Sequence, residues 1–82
     1  MDIEFDPAKD ATNIEKHGIS LARFVDMDVA GIVEDDRFDE PRLRIYGEID
    51  GIWHCAAVTI RATVFRVISL RRAHAKEIRR HV

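Results

Sequence analysis

The sequence predicts an α+β domain, with helices packed against an antiparallel sheet in the order βααββββα. Three observations carry that expectation. Residues 6–18 hold a full set of helix start and stop signals, and residues 42–70 read as strands. An Asp-Gly pair at 50–51 then divides those strands into a hairpin.

Each element follows from local chemistry. "DIEF" reads as a short opening strand. Asp6 is placed to cap a helix that starts at Pro7, where the missing N–H costs nothing. Ala8, Ala11, Ile14 and Glu15 carry that helix to His17, and Gly18 supplies the left-handed residue that ends it. Ser20 caps a second helix through Leu21, Ala22, Phe24 and Val25, which stops before Gly31. From Gly31 the texture is extended. "GIVEDD" is a candidate edge strand, "DDRFDEP" an acidic loop, and "RLRIYGEI" a strand with Leu43 and Ile45 alternating against Arg42 and Arg44. "IWHCAAVTI" and "TVFRVISL" form two more strands around a tight turn near Arg61–Ala62. "RRAHAKEIRRHV" closes the chain as a short helix with Ala75, Ile78 and Val82 on one face.

At 82 residues there is room for one core, so residues 1–82 read as a single domain. An apolar fraction of 46% and a charged fraction of 34% describe a globular chain rather than a disordered one. No apolar run is long enough to cross a bilayer, and the acidic start "MDIEFDPAKD" has no signal core, so a cytoplasmic protein is expected. The lone Cys55 cannot form an internal disulfide and suits a reducing compartment.

The net charge of −2 hides a strong polarity. Residues 26–50 carry nine acidic and three basic side chains, whereas residues 61–82 carry seven basic and one acidic. Such a chain can meet an anion through one surface and a basic partner through another, or neutralise its two halves inside one fold.

Glycine-rich phosphate loops, nucleophile elbows and cysteine metal motifs are missing from the sequence. His74, Glu77 and His81 share a face of the last helix, a spacing that zinc could use but that reads more simply as a solvated polar face. The basic end is more informative. A guanidinium on a sheet surface is a rigid bidentate holder for a phosphodiester. Period-two counting puts Phe65, Val67, Ser69 and Arg71 on one side of their strand and Arg66, Ile68 and Leu70 on the other. Arg61 has the parity of Arg71, and Arg71 and Arg72 stand where the sheet gives way to the helix. Arg66 and Arg72 have an equally good structural reading, as partners of carboxylates such as Asp6 or Asp26. Lys16 and His17 are favoured in the last turn of a helix by its dipole, yet a histidine is also suited to acid–base work.

These segments in their order resemble the BrnT toxins of bacterial toxin–antitoxin pairs, whose fold is similar to that of the RelE toxins. "FDPAKDATNIEKHGIS" carries the pattern Asp6, Lys9, Asn13, Lys16, His17 and Gly18. "DEPRLRIYG" keeps Glu40, Arg42 and Gly47. "VTIRATVFRVISLRRAHAKE" keeps Thr59, Arg61, Arg66, Ile68, Ser69, Arg71, Ala73 and Glu77. His81 stands where relatives usually have tyrosine and His74 where threonine is common, and the terminal helix is short.

The resemblance implies a ribonuclease that arrests translation and a BrnA-type ribbon-helix-helix antitoxin, with operator DNA bound only through the complex and a homodimer within it. Residues and resemblance together point to metal-independent cleavage by the RNA 2′-OH, with no cofactor and no membrane. Arg61 and Arg71 are the candidates for stabilising charge on the phosphate, and His17 leads for acid–base work. Lys16 is an electrostatic aid and Glu77 an orienter or base. Arg66, Arg72, Lys76 and Arg80 are substrate-binding candidates. A module that only binds nucleic acid, or a degenerate toxin that only binds its antitoxin, would need the arginines or the partner surface without the acid–base pair.

Overall fold

The computed structural model describes residues 2–37 and 39–82. Met1 lies outside the described residues, as does Phe38, which falls inside the expected acidic loop. The chain runs β1 (Ile3–Glu4), α1 (Pro7–His17), a 3₁₀ helix (Leu21–Asp26), β2 (Asp28–Asp35), β3 (Arg42–Ile49), β4 (Ile52–Arg61), β5 (Val64–Arg72) and α2 (Ala75–His81).

The first helix forms where its caps place it. Asp6 accepts a hydrogen bond from the Ala8 N–H at 2.9 Å, and Gly18 adopts φ 72° while its N–H donates to the Ile14 carbonyl. The second helix is a 3₁₀ segment instead of an α-helix. Leu21, Phe24 and Met27 are all buried, and their spacing of three matches the three-residue turn of a 3₁₀ helix. The Ser20 hydroxyl caps it at the Ala22 N–H, and the Asp10 carboxylate ties it to α1 by accepting from the Ser20 hydroxyl and the Leu21 N–H. β2 then begins at Asp28, three residues earlier than the expected start at Gly31, with an irregularity between Val29 and Gly31.

The sheet has the order β1-β5-β4-β3-β2 and is mixed rather than antiparallel. β1 lies parallel to β5, pairing Ile3 with Phe65 and Glu4 with Arg66, whereas the other neighbours are antiparallel. The expected Asp50–Gly51 turn is present, with φ 53° and 75°. The β4–β5 turn falls one residue later than expected, at Ala62–Thr63, and Ala62 takes φ 55°.

One face of the sheet packs against the 3₁₀ helix. Ile45, Ile49, Ala56, Val58, Val67 and Leu70 meet Leu21, Phe24 and Met27 there, with Phe5 and Phe65 alongside. Val67 and Leu70 are 1% and 0% exposed, although three residues apart on one strand. A bulge reconciles them. Ala57 pairs with Ser69 but Val58 pairs with Val67, so Ile68 is surplus. The strict alternation expected for β5 is therefore broken, and Arg71 leaves the sheet on the side opposite Val67.

β1 covers only two residues of β5. Beyond it, the edge is closed by a side chain: Asn13 of α1 accepts from the Leu70 N–H (3.1 Å) and donates to the Leu70 carbonyl (2.8 Å) and the Ile19 carbonyl (2.9 Å). An amide thus takes the place of a neighbouring strand.

Gly47 marks the tightest approach of β3 to the start of β2. A β-carbon there would overlap the Asp28 carbonyl oxygen and sit 2.6 Å from Met27 Cγ. Gly47→Ala is expected to lower stability by about 1–3 kcal/mol through overpacking, read as a lower urea midpoint with an unchanged slope.

Candidate active site

The face of the sheet away from the 3₁₀ helix is lined by arginine. Register places Arg44 beside Ala57 and Tyr46 beside Cys55, and then Ala57 beside Ser69 and Cys55 beside Arg71. A recess of about 230 Å³ opens there between Asp35, Arg42, Arg44, Cys55, Ser69 and Arg71. α2 folds back over its edge, with the His81 ring stacked on Tyr46 at 5.4 Å and 17°.

A single network joins these elements. Arg71 holds Glu77 in a bidentate fork, Nη1 to Oε1 at 2.8 Å and Nη2 to Oε2 at 3.0 Å. The Tyr46 hydroxyl donates to Glu77 Oε2 at 3.1 Å and accepts from Arg44 Nη1 at 3.2 Å. Glu77 Oε1 also accepts from the His74 N–H, which completes a capping box at the start of α2.

The charges respond accordingly. The Arg71 guanidinium, with help from the His74 N–H, holds the Glu77 carboxyl down at about 2 against the resisting effect of burial. Burial raises Tyr46 above its usual range, so its hydroxyl keeps its proton at neutral pH. Burial also raises the Cys55 thiol. Arg37 hydrogen-bonds Asp35 and brings it to about 2. Chemically, the arrangement offers guanidinium donors, a protonated phenol, and a carboxylate too acidic to be an effective base at neutral pH.

The Glu77 shift has a measurable consequence. A carboxylate at about 2 in the fold against an ordinary 4.5 contributes stability that is fully present above pH 4.5 and lost as pH falls toward 2. The gap in melting temperature between the wild type and Glu77→Gln should be constant from pH 5 to 7 and narrow below about pH 4.5. A pH-independent gap would show that the carboxylate charge contributes nothing.

The residues singled out from the sequence are divided among several places. Arg71 and Glu77 come together. Lys16 and His17 line a different recess, about 350 Å³, between α1 and β5, with Lys9 and Ser69. Arg61 ends β4 and pairs with Glu40 at 3.3 Å, and Arg66 pairs with Glu4 at 3.3 Å. Arg72 points to the helix side, whereas Lys76 and Arg80 are exposed on α2. The Arg61–Glu40 pair joins the basic stretch to the acidic one, whereas Arg66 pairs with Glu4 outside it. The face shared by His74, Glu77 and His81 is not simply solvated, because Arg71 binds Glu77 and His81 stacks on Tyr46. Among the described residues, His, Cys, Asp and Glu side chains form no group of three suited to a metal.

Arg44 and Tyr46 were missed. Their signal was the alternation of Arg42, Arg44 and Tyr46 along β3, which puts all three on one side of a strand.

A sheet packed on one face and lined by guanidiniums on the other defines a small α+β protein with a basic recess on its open face. Residues 5–77 match the family described as "Ribonuclease toxin, BrnT, of type II toxin-antitoxin system". The chain belongs to this BrnT family. It is also similar to the Brucella abortus ribonuclease toxin BrnT, known from a 1.1 Å crystal structure. The identity is 31% over 90% of this chain and 97% of that one, with a TM-score of 0.67. No curated protein matches it. Among the described residues, no helix is long and apolar enough to cross a membrane.

Proposed function

We propose that this chain is a metal-independent endoribonuclease of RelE-like architecture, and that it cleaves RNA on the open face around Arg71. The observation that supports this is the Arg44–Tyr46–Glu77–Arg71 network at the rim of an arginine-lined recess. The 2′-OH attacks the neighbouring phosphate and the 5′-oxygen leaves. Arg71 and Arg44 stabilise the charge that grows on the non-bridging oxygens. Tyr46, which stays protonated, is placed to supply a proton to the leaving oxygen, and Glu77 orients both donors. His81, stacked on Tyr46, is the imidazole positioned to act as base. Lys16 and His17, beyond the β5 edge, hold the strand rather than react with it, and Arg61, Arg66, Lys76 and Arg80 attract it electrostatically.

By the family resemblance, a BrnA-type ribbon-helix-helix antitoxin neutralises the enzyme in the cytoplasm, and operator DNA is met through that complex. The toxin forms a homodimer within it, and free toxin arrests translation.

One observation favours a degenerate toxin that acts as a binder of its antitoxin: Glu77 already occupies the fork of Arg71 that a phosphate would use. Incubating the purified chain with labelled single-stranded RNA in EDTA separates the readings. Fragments ending in 2′,3′-cyclic phosphate and 5′-OH support the ribonuclease. RNA left intact, with ribosomes also present, leaves only the binder.

A further inference from the structure

Successive residues of a strand point to opposite faces, so Arg72 emerges on the helix side of the sheet while Arg71 lies on the open side. Its register partner there is His54. The two residues line a recess of about 200 Å³ with His17, Ile19, Ile49 and Ile52. Arg23 also borders it but is engaged by Asp26 at 2.8 Å and Asp50 at 2.7 Å. Arg72 forms no ion pair with a described carboxylate.

His54 is only 6% exposed, and its Nδ1 lies 2.7 Å from the Ile52 carbonyl oxygen. A carbonyl can only accept, so Nδ1 carries a proton, and in the neutral tautomer the lone pair is at Nε2. That atom has no hydrogen-bond partner among the described residues, yet it is not among the fully enclosed polar atoms that lack a hydrogen bond. Its accessible edge therefore borders the recess. An acceptor that borders a recess without a protein donor is available to a ligand hydroxyl.

Asp50 also lines the recess but is paired with Arg23, so an acceptor, an uncommitted guanidinium and isoleucine walls suit a ligand with a hydroxyl, a phosphate and an apolar surface. We propose that this recess is a ribonucleotide subsite: Arg72 takes a phosphate, His54 Nε2 accepts from a ribose hydroxyl, and Ile19 and Ile52 wall the sugar and base. The proposal rests on the RNA-cleaving reading for its purpose. An RNA strand whose reacting phosphate lies on Arg71 turns around the end of β5 and seats a neighbouring nucleotide on Arg72.

Adenosine 5′-monophosphate titrated into the full chain, followed by the ring resonances of His54 in NMR spectra, tests the site without any cleavage. His54 should shift on binding. Arg72→Gln, at an exposed position that leaves the core untouched, should weaken binding by about tenfold, the worth of one charge-assisted hydrogen bond. Loss of both ribose hydroxyls, in 2′,3′-dideoxyadenosine 5′-monophosphate, should also weaken it severalfold. Shifts confined to Tyr46 and Arg71, unchanged affinity in Arg72→Gln, or inorganic phosphate binding as well as the nucleotide would each overturn the subsite. The RNA assay stands apart from this. A chain that cuts RNA but leaves His54 unshifted loses only the subsite, and one that binds the nucleotide at His54 without cutting loses only the ribonuclease reading.

Discussion

Arg71→Ala is expected to slow RNA cleavage by about 10²–10³-fold, the usual effect of removing one fixed donor from a developing anion. Arg71 is outside the core, so the loss should fall on kcat with the fold retained. Arg71→Lys should recover only part of the rate, because an ammonium keeps the charge but cannot form the planar fork seen on Glu77. Removing the guanidinium also leaves the Glu77 carboxylate uncompensated beside the substrate phosphate. The double variant Arg71→Ala/Glu77→Gln removes that repulsion and isolates the guanidinium's own contribution. Single-turnover cleavage, with circular dichroism to confirm folding, provides the measurement. Wild-type rates in Arg71→Ala would move the chemistry off this face.

The largest expected effect on stability is at Asn13. Its alanine variant leaves the Leu70 N–H, the Leu70 carbonyl and the Ile19 carbonyl without their side-chain partner. Unsatisfied buried groups cost roughly 1–3 kcal/mol each, and water recovers part of that at an edge, so a net loss of about 3 kcal/mol is expected. For a domain of this size such a loss lowers the melting temperature by roughly 15 °C. Asn13→Asp is a sharper probe. A carboxylate can still accept from the Leu70 N–H but cannot donate to either carbonyl, so it should not rescue the alanine loss. A melting temperature within a few degrees of the wild type would mean that water replaces the amide without penalty.

What could be read from the sequence was what local chemistry decides. Asp6, Pro7 and Gly18 bound α1 through their own side chains and backbone preferences, and Asp50–Gly51 adopts the positive φ values its residue types favour. Leu21 and Phe24 marked the buried side of the next segment, but residues three apart share a face in α- and 3₁₀ helices alike, so the tighter winding was not legible. The parallel pairing of β1 with β5 was not legible, because it joins residues some sixty positions apart and leaves no local mark. Nor was the surplus Ile68, which exists only relative to the residue count of β4. That one residue upset the expected faces of β5. The site was legible in part for the same reason. Arg71 and Glu77 meet across a short strand-to-helix junction, whereas Arg44 and Tyr46 reach them only through the register of β3, β4 and β5. His17 and Arg71 lie close to Ser69 from different sides, a separation that sequence spacing does not encode.

The closed β5 edge also sets a limit on assembly. A sheet grows by adding strands at its margins, and a filament needs two margins that accept one another. The Asn13 amide occupies the β5 margin beyond the two residues of β1, and the opposite margin, β2, has the end of α2 against it at Gly31. Among the described residues, each margin is thus short or partly covered, which guards the sheet against open-ended growth into fibres.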